Sequence, residues 1–137
     1  MSINDHQLEK INDFLKNFPS AKLQIVTKNQ DTKTIKDLIG RGYRLFGENK
    51  VQEAKEKYKN LELKKLDLHL IGPLQTNKVR LALELFNTIQ SIDREKLVKE
   101  IVKVKNKFKT KTSNFFIQVN IGEEEQKSGV SPENLEN

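Results

Sequence analysis

With 137 residues, 35% of them hydrophobic, the chain is long enough to enclose one core and is read as a single domain. Its lack of cysteine excludes a disulfide framework and any thiolate metal site, and the isolated His6 and His69 do not make a histidine metal cluster. Of the 25 cations behind the net charge of +6, only Arg41, Arg44, Arg80 and Arg94 are arginines, so a lysine-rich composition explains the charge better than a nucleic-acid partner does.

No apolar run approaches the length of a membrane helix, and Met1-Ser2-Ile3-Asn4-Asp5 lacks the basic-then-apolar layout of a signal peptide; the expectation is a cytoplasmic protein with no membrane partner. Residues 4–18 predict a first helix, because Leu8, Ile11, Leu15 and Phe18 recur at spacings of three and four, with Asn4 or Asp5 as its cap and Pro19 as its stop. Residues 23–28, Leu23-Gln24-Ile25-Val26-Thr27-Lys28, read as a strand buried on both faces, since the β-branched centre does not alternate with polar residues. Asp31 or Thr32 caps a second helix whose buried stripe is Ile35, Leu38 and Ile39, and Gly42 suits the turn out of it. Tyr43-Arg44-Leu45-Phe46 is the next strand, closed by Gly47-Glu48-Asn49. Asn49 and Gln52 have the spacing of a capping box, ahead of a helix through Val51, Ala54 and Tyr58.

Leu68-His69-Leu70-Ile71 forms a third strand, ended by Gly72-Pro73 and followed by a helix carrying Val79, Ala82, Leu83 and Phe86. Residues 88–92 form the fourth strand and Asp93 caps the helix after it, where Leu97, Ile101, Val104 and Phe108 share one face. Lys99, Lys103, Lys105, Lys107, Lys109 and Lys111 cover the opposite face, read as solvated rather than as an anion-binding strip. Residues 115–121 are the fifth strand, and Ser131-Pro132-Glu133 is the opening of a fifth crossover helix.

This unbroken alternation predicts one α/β unit with a parallel sheet and right-handed crossovers, either an open doubly wound sheet or part of a (β/α)8 barrel. The turn Lys28-Asn29-Gln30-Asp31 contains no glycine and no P-loop occurs, which excludes nucleotide phosphate binding by those two routes. Polar residues gather at the C-terminal ends of the strands: Lys28, Glu48 and Asn49, Gln75, Ser91 with Asp93, and Asn120. Barrel enzymes build their sites at that end. Helix capping accounts for Asn49 and Asp93 without a ligand, but not for Lys28, because lysine is a poor cap. Lysine is also the side chain whose neutral amine forms a Schiff base with a carbonyl.

Several segments carry a resemblance: Ile25-Val26-Thr27-Lys28; Gly42-Tyr43-Arg44-Leu45-Phe46-Gly47-Glu48-Asn49 with Val51-Gln52-Glu53; His69-Leu70-Ile71-Gly72 with Leu74-Gln75-Thr76-Asn77-Lys78; Ser91-Ile92-Asp93; and Gln118-Val119-Asn120-Ile121 with Glu124-Glu125-Gln126-Lys127-Ser128-Gly129-Val130. In order and spacing the chain is similar to the pyridoxal phosphate homeostasis proteins, single-domain relatives of the barrel of alanine racemase. The resemblance implies a parallel (β/α) barrel of that type, here incomplete, with about five βα units and an extra N-terminal helix. It implies pyridoxal phosphate as cofactor, held as a Schiff base on the lysine that matches Lys28, with Asn49 in the segment beside it. The expected cofactor-binding set is Lys28, Asn49, His69, Ser91 and Asn120, with no catalytic residue and no metal. Lys50 stands where the family commonly has tyrosine, and Asn29 follows Lys28 where it commonly has Thr-Lys-Pro or similar.

The implied function is vitamin B6 homeostasis by a binding protein that is not a catalyst, with apo-enzymes that receive the cofactor as partners. The alternative is a racemase-like enzyme acting on amino acids, for which His69 is the one further acid or base; inside a strand it reads as a satisfied interior histidine. A whole barrel takes roughly 200 to 250 residues, so residues 1–137 are expected to be its N-terminal portion without the last three strands. The absent strands would include the loops that hold the phosphate, so this chain alone is expected to bind weakly or not at all. The intact family is expected to be monomeric, whereas two open sheet edges favour self-association of the shorter chain.

Overall fold

The protein is described by a computed structural model over residues 3–136; Met1, Ser2 and Asn137 lie outside the described residues, as does the part of the N-terminal reading that falls on them. The elements run α1 (Asp5–Leu15), β1 (Ile25–Val26), α2 (Thr32–Gly40), β2 (Leu45–Glu48), α3 (Val51–Tyr58), β3 (Asp67–Leu70), α4 (Val79–Leu85), β4 (Thr88–Ile92), α5 (Glu95–Lys107) and β5 (Asn114–Ile117). All strand pairs are parallel and the sheet order is β1-β2-β3-β4-β5.

That order decides between the two closures. A doubly wound sheet reverses its strand order so that helices cover both faces. Here every crossover advances in one direction, and right-handed connections then place α2 to α5 on the same face. The sheet is an arc of an alanine-racemase-type barrel, not closed within these residues. Its core lies between the sheet and the helices, where Phe46, Leu68, Leu70 and Ile89 meet Ile35, Tyr58, Val79, Leu83 and Leu97, all fully buried. The buried stripes of α2, α3 and α5 contain the apolar residues their periodicity indicates, except Ile39, half-buried, and Phe108, which lies beyond the end of α5 beneath the Arg80 guanidinium.

The expected strand at 23–28 contracts to two residues and is not buried on both faces, since Val26 is 46% exposed. β1 is the sheet's edge, and the face away from the helices has no covering layer. β2 begins two residues later than expected because the turn at Gly42, φ +97°, is followed by Tyr43, whose hydroxyl accepts from Asn12 Nδ2 at 2.7 Å. α1 stops at Leu15, well before Pro19; the tighter bonds Lys16 N to Asp13 O, Asn17 N to Phe14 O and Phe18 N to Leu15 O close its end. Its stripe is not a core face: Leu8 and Leu15 are half-buried, Ile11 and Phe18 exposed.

Capping is also redistributed. Asn4 accepts from Gln7 N and Asp31 from Thr34 N, as expected of caps. The capping box of Asn49 and Gln52 does not form, because the cap position of α3 is Lys50, with no side-chain bond. Asp93 does not cap α5 either; its carboxylate takes Arg94 Nη1 at 2.8 Å and Gly129 N at 3.3 Å. β5 ends at Ile117, with Val119 bridging to Val130, and Pro132–Asn134 form one 3₁₀ turn in place of an opening crossover helix, with no side-chain cap from Ser131. On α5 and the segment after it, Lys99, Lys103, Lys105, Lys107 and Lys109 are exposed. Lys111 is the exception: half-buried, it has its pKa pushed down by desolvation.

Candidate functional site

Lys28 follows β1 at its C-terminal end. Thr27, still paired to the sheet through its N–H to Gly47 O at 3.0 Å, turns its side chain toward α3 and is buried. Lys28 follows in the turn after β1, where it is exposed and has no hydrogen bond or ion pair among the described residues. The chain reverses at Asn29, a non-glycine residue at φ +58°.

Asn49 follows β2, half-buried, and its Oδ1 has no protein partner. The loop after β3 presses on it: a β-carbon on Gly72 would stand 2.1 Å from Asn49 O, so only glycine fits there. Asn49 also lines a recess of about 450 Å³ with Lys50, Gln52, Pro73, Gln75 and Lys78. Ser91 is buried at the end of β4, beside an irregularity in the β4–β5 register, and its Oγ too has no partner.

His69 and Asn120 stand differently. His69 Nδ1 is 2.8 Å from Gln90 Nε2 and its Nε2 is 2.9 Å from Asp67 Oδ1. The amide nitrogen of Gln90 is a donor, which makes Nδ1 the acceptor and Nε2 the protonated nitrogen, donating to Asp67. Both ring positions are engaged within β3 and β4, as in the satisfied interior histidine that the sequence suggested. Asn120 closes its own loop, Nδ2 donating to Glu124 O at 2.8 Å and Oδ1 accepting from Glu124 N at 3.3 Å. Lys28, Asn49 and Ser91 thus form the part of the expected set that keeps free valence at the strands' C-terminal ends.

A second group of residues gathers around Glu48, of which only Glu48 itself is placed at a strand end from the sequence. Glu48 is fully buried, with Oε1 2.8 Å from Lys57 Nζ and accepting from Thr27 Oγ1 at 2.5 Å. Lys57 also donates to Thr27 O at 2.6 Å and to Glu53 Oε1 at 3.0 Å, and Glu53 accepts from Asn29 N at 2.8 Å. Tyr58 OH lies 2.9 Å from Thr27 Oγ1, and desolvation drives its pKa well above that of an ordinary phenol. The one signal in the sequence was the i,i+4 spacing of Glu53 and Lys57.

The Asn29 N–H, and then the Lys57 side chain, hold the Glu53 carboxyl below its ordinary value of 4.5. A depressed carboxylate contributes stability that is complete above the unfolded value and is lost as pH falls through the folded one. The urea midpoint should therefore drop as pH falls below about 4.5, and more steeply in the parent than in Glu53→Gln. Parallel curves for the two proteins between pH 6 and 3 would contradict this.

No protein-family model matches the chain. Among curated proteins it is 41% identical over 116 residues to the pyridoxal phosphate homeostasis protein of Aquifex aeolicus, covering 84% of this chain and 50% of that protein. The protein of the same name from Buchnera aphidicola is 40% identical over 134 residues, covering 92% and 57%, and that of Escherichia coli 37% over 111 residues, covering 79% and 47%. The chain spans about half the length of the curated relatives it matches. Among solved structures it resembles PipY of Synechococcus elongatus, without PLP at a TM-score of 0.83 and 33% identity, and with PLP bound at 0.77 and 31%. These cover 93% of this chain and 60% and 59% of PipY. In strand order, motif spacing and sequence, the chain is similar over most of its own length to about half the length of the pyridoxal phosphate homeostasis proteins.

Proposed function

We propose that these residues are one domain, the N-terminal arc of a (β/α)8 barrel, and that the protein binds pyridoxal phosphate through Lys28 for vitamin B6 homeostasis rather than for catalysis. The observation that carries the reading is the placement of Lys28: an exposed amine, unpaired among the described residues, in the turn at the C-terminal end of β1. The residues present fit the group. Asn49 Oδ1, just after β2, and Ser91 Oγ, on β4 with β3 between them, are polar atoms shielded from solvent and without partners among the described residues, and a bound polar ligand would satisfy both. When bound, the cofactor would supply an aldehyde, and Lys28 is the amine that would hold it as a Schiff base, with loss of one water. Asn49 would orient the ligand and Ser91 donate to it. Apo-enzymes that accept the cofactor are the proposed partners, and the uncovered β5 edge, where Phe116 and Ile117 are exposed, is the proposed seat of self-association.

The test is an absorbance spectrum between about 300 and 500 nm with pyridoxal phosphate, before and after borohydride, for the 137-residue chain and for Lys28→Ala. The expected result is a weak reducible imine band that the mutant lacks, and a stronger one in a version completed to the relatives' length. No band in the completed version, or an equal band in its Lys28→Ala form, would refute the reading.

A further inference from the structure

Lys28 has a free side chain on a pinned backbone. Thr27, before it, is held by its carbonyl to Lys57 Nζ and by its hydroxyl to Glu48 and Tyr58. Asn29, after it, is held by its N–H to Glu53, in a left-handed conformation that a non-glycine residue keeps only when its surroundings impose it. One ammonium, that of Lys57, ties the two sides together, since it contacts Thr27 O, Glu48 and Glu53 at 3.0 Å or less.

Stability alone does not explain such a group. A buried ion pair is often no more stabilising than apolar residues of the same volume, because desolvating both charges offsets their attraction. What the charges supply is geometry: three acceptors fix the ammonium, and the ammonium fixes the turn. We infer that Lys57, with Glu48 and Glu53, is a positioning device that aims the Lys28 amine at the incoming aldehyde. The inference rests on the reading of Lys28 as the cofactor lysine. It assigns Lys57 no contact with the cofactor.

The test is site selectivity. The chain is treated with pyridoxal phosphate and borohydride, which reduces even a weakly populated imine to a permanent label, and the label on Lys28 is compared by peptide mass spectrometry with that on the other lysines. The double variant Glu48→Gln/Lys57→Met leaves no buried charge unpaired, and circular dichroism reports whether it is folded. The parent should label preferentially at Lys28, and the folded double variant should lose roughly ten-fold or more of that preference, as misplaced reacting groups do. Lys57→Arg, which keeps the charge and its donors, should retain most of it. A purely structural role would change the melting temperature and leave the label's distribution alone. Equal selectivity in the parent and the folded double variant overturns the inference but not the reading of Lys28; no selectivity in the parent overturns the inference, and no selectivity in a version completed to the relatives' length overturns both. If the double variant does not fold, Glu53→Ala decides by the same measure, since it frees Asn29 from a partly exposed partner: lost selectivity supports the device and unchanged selectivity overturns it.

Discussion

Lys57→Met alone should destabilise the protein by about 3 to 5 kcal/mol, a large share of the ~5 to 15 kcal/mol that holds a domain together. The loss comes less from the contacts removed than from what remains. Glu48 would stay fully buried, with Oε2 already lacking a partner among the described residues and Oε1 stripped of the ammonium that faced it. Tyr58, across the Thr27 hydroxyl, has no charge to offer in exchange. Adding Glu48→Gln should return most of the loss, because a neutral amide is far cheaper to bury than an unpaired carboxylate. Urea denaturation of the two variants separates the terms. A single variant within about 1 kcal/mol of the parent would mean that the pair is exposed or already neutral in solution.

Gly72→Ala is the second large effect. A methyl group there would sit 2.1 Å from Asn49 O and 2.7 Å from Asn49 Cα, and both are backbone atoms that no rotamer change can move aside. Either the loop after β3 lifts or the loop after β2 shifts, at about 3 kcal/mol for overpacking of this kind. Asn49 moves with it, so any ligand held there is weakened beyond the stability loss. Gly40→Ala is the control: nothing lies within 4 Å of its added carbon, it ends α2, and it should be neutral or stabilising by about 0.5 to 1 kcal/mol. Equal urea midpoints for Gly72→Ala and the parent would refute the close approach of the two loops.

Elements whose environment is set by their own periodicity were legible. β4 spans the residues expected of it, and Leu97, Ile101 and Val104 are buried at their helical spacing. The failures share a cause. The run around Ile25 and Val26 signals apolar residues, but whether both sides are covered depends on layers contributed from elsewhere, and β1 lies at an edge. The caps at Asn49 and Asp93 were read from spacing, yet a side chain near a helix start takes whichever donor is nearest, and Asp93 found Arg94 and Gly129. Lys28 stood out in the sequence because a lysine closing an apolar run is anomalous in one dimension, and the structure places it exposed in the turn after β1. The grip on its backbone was not legible, because Thr27, Glu48 and Lys57 meet only after one crossover has set β2 beside β1 and α3 has packed against them.

The sheet order has a consequence for how such a chain is made. Because spatial order repeats chain order, each strand leaving the ribosome finds its only required neighbour already synthesised, one crossover earlier. Sequence separations between paired strands stay short and alike, Phe46 beside Ile25, Leu68 beside Phe46, Ile89 beside Leu70, so no pairing waits for a distant segment. The price is a leading edge that stays uncovered throughout synthesis, and at β5 that edge carries Phe116 and Ile117 in the open.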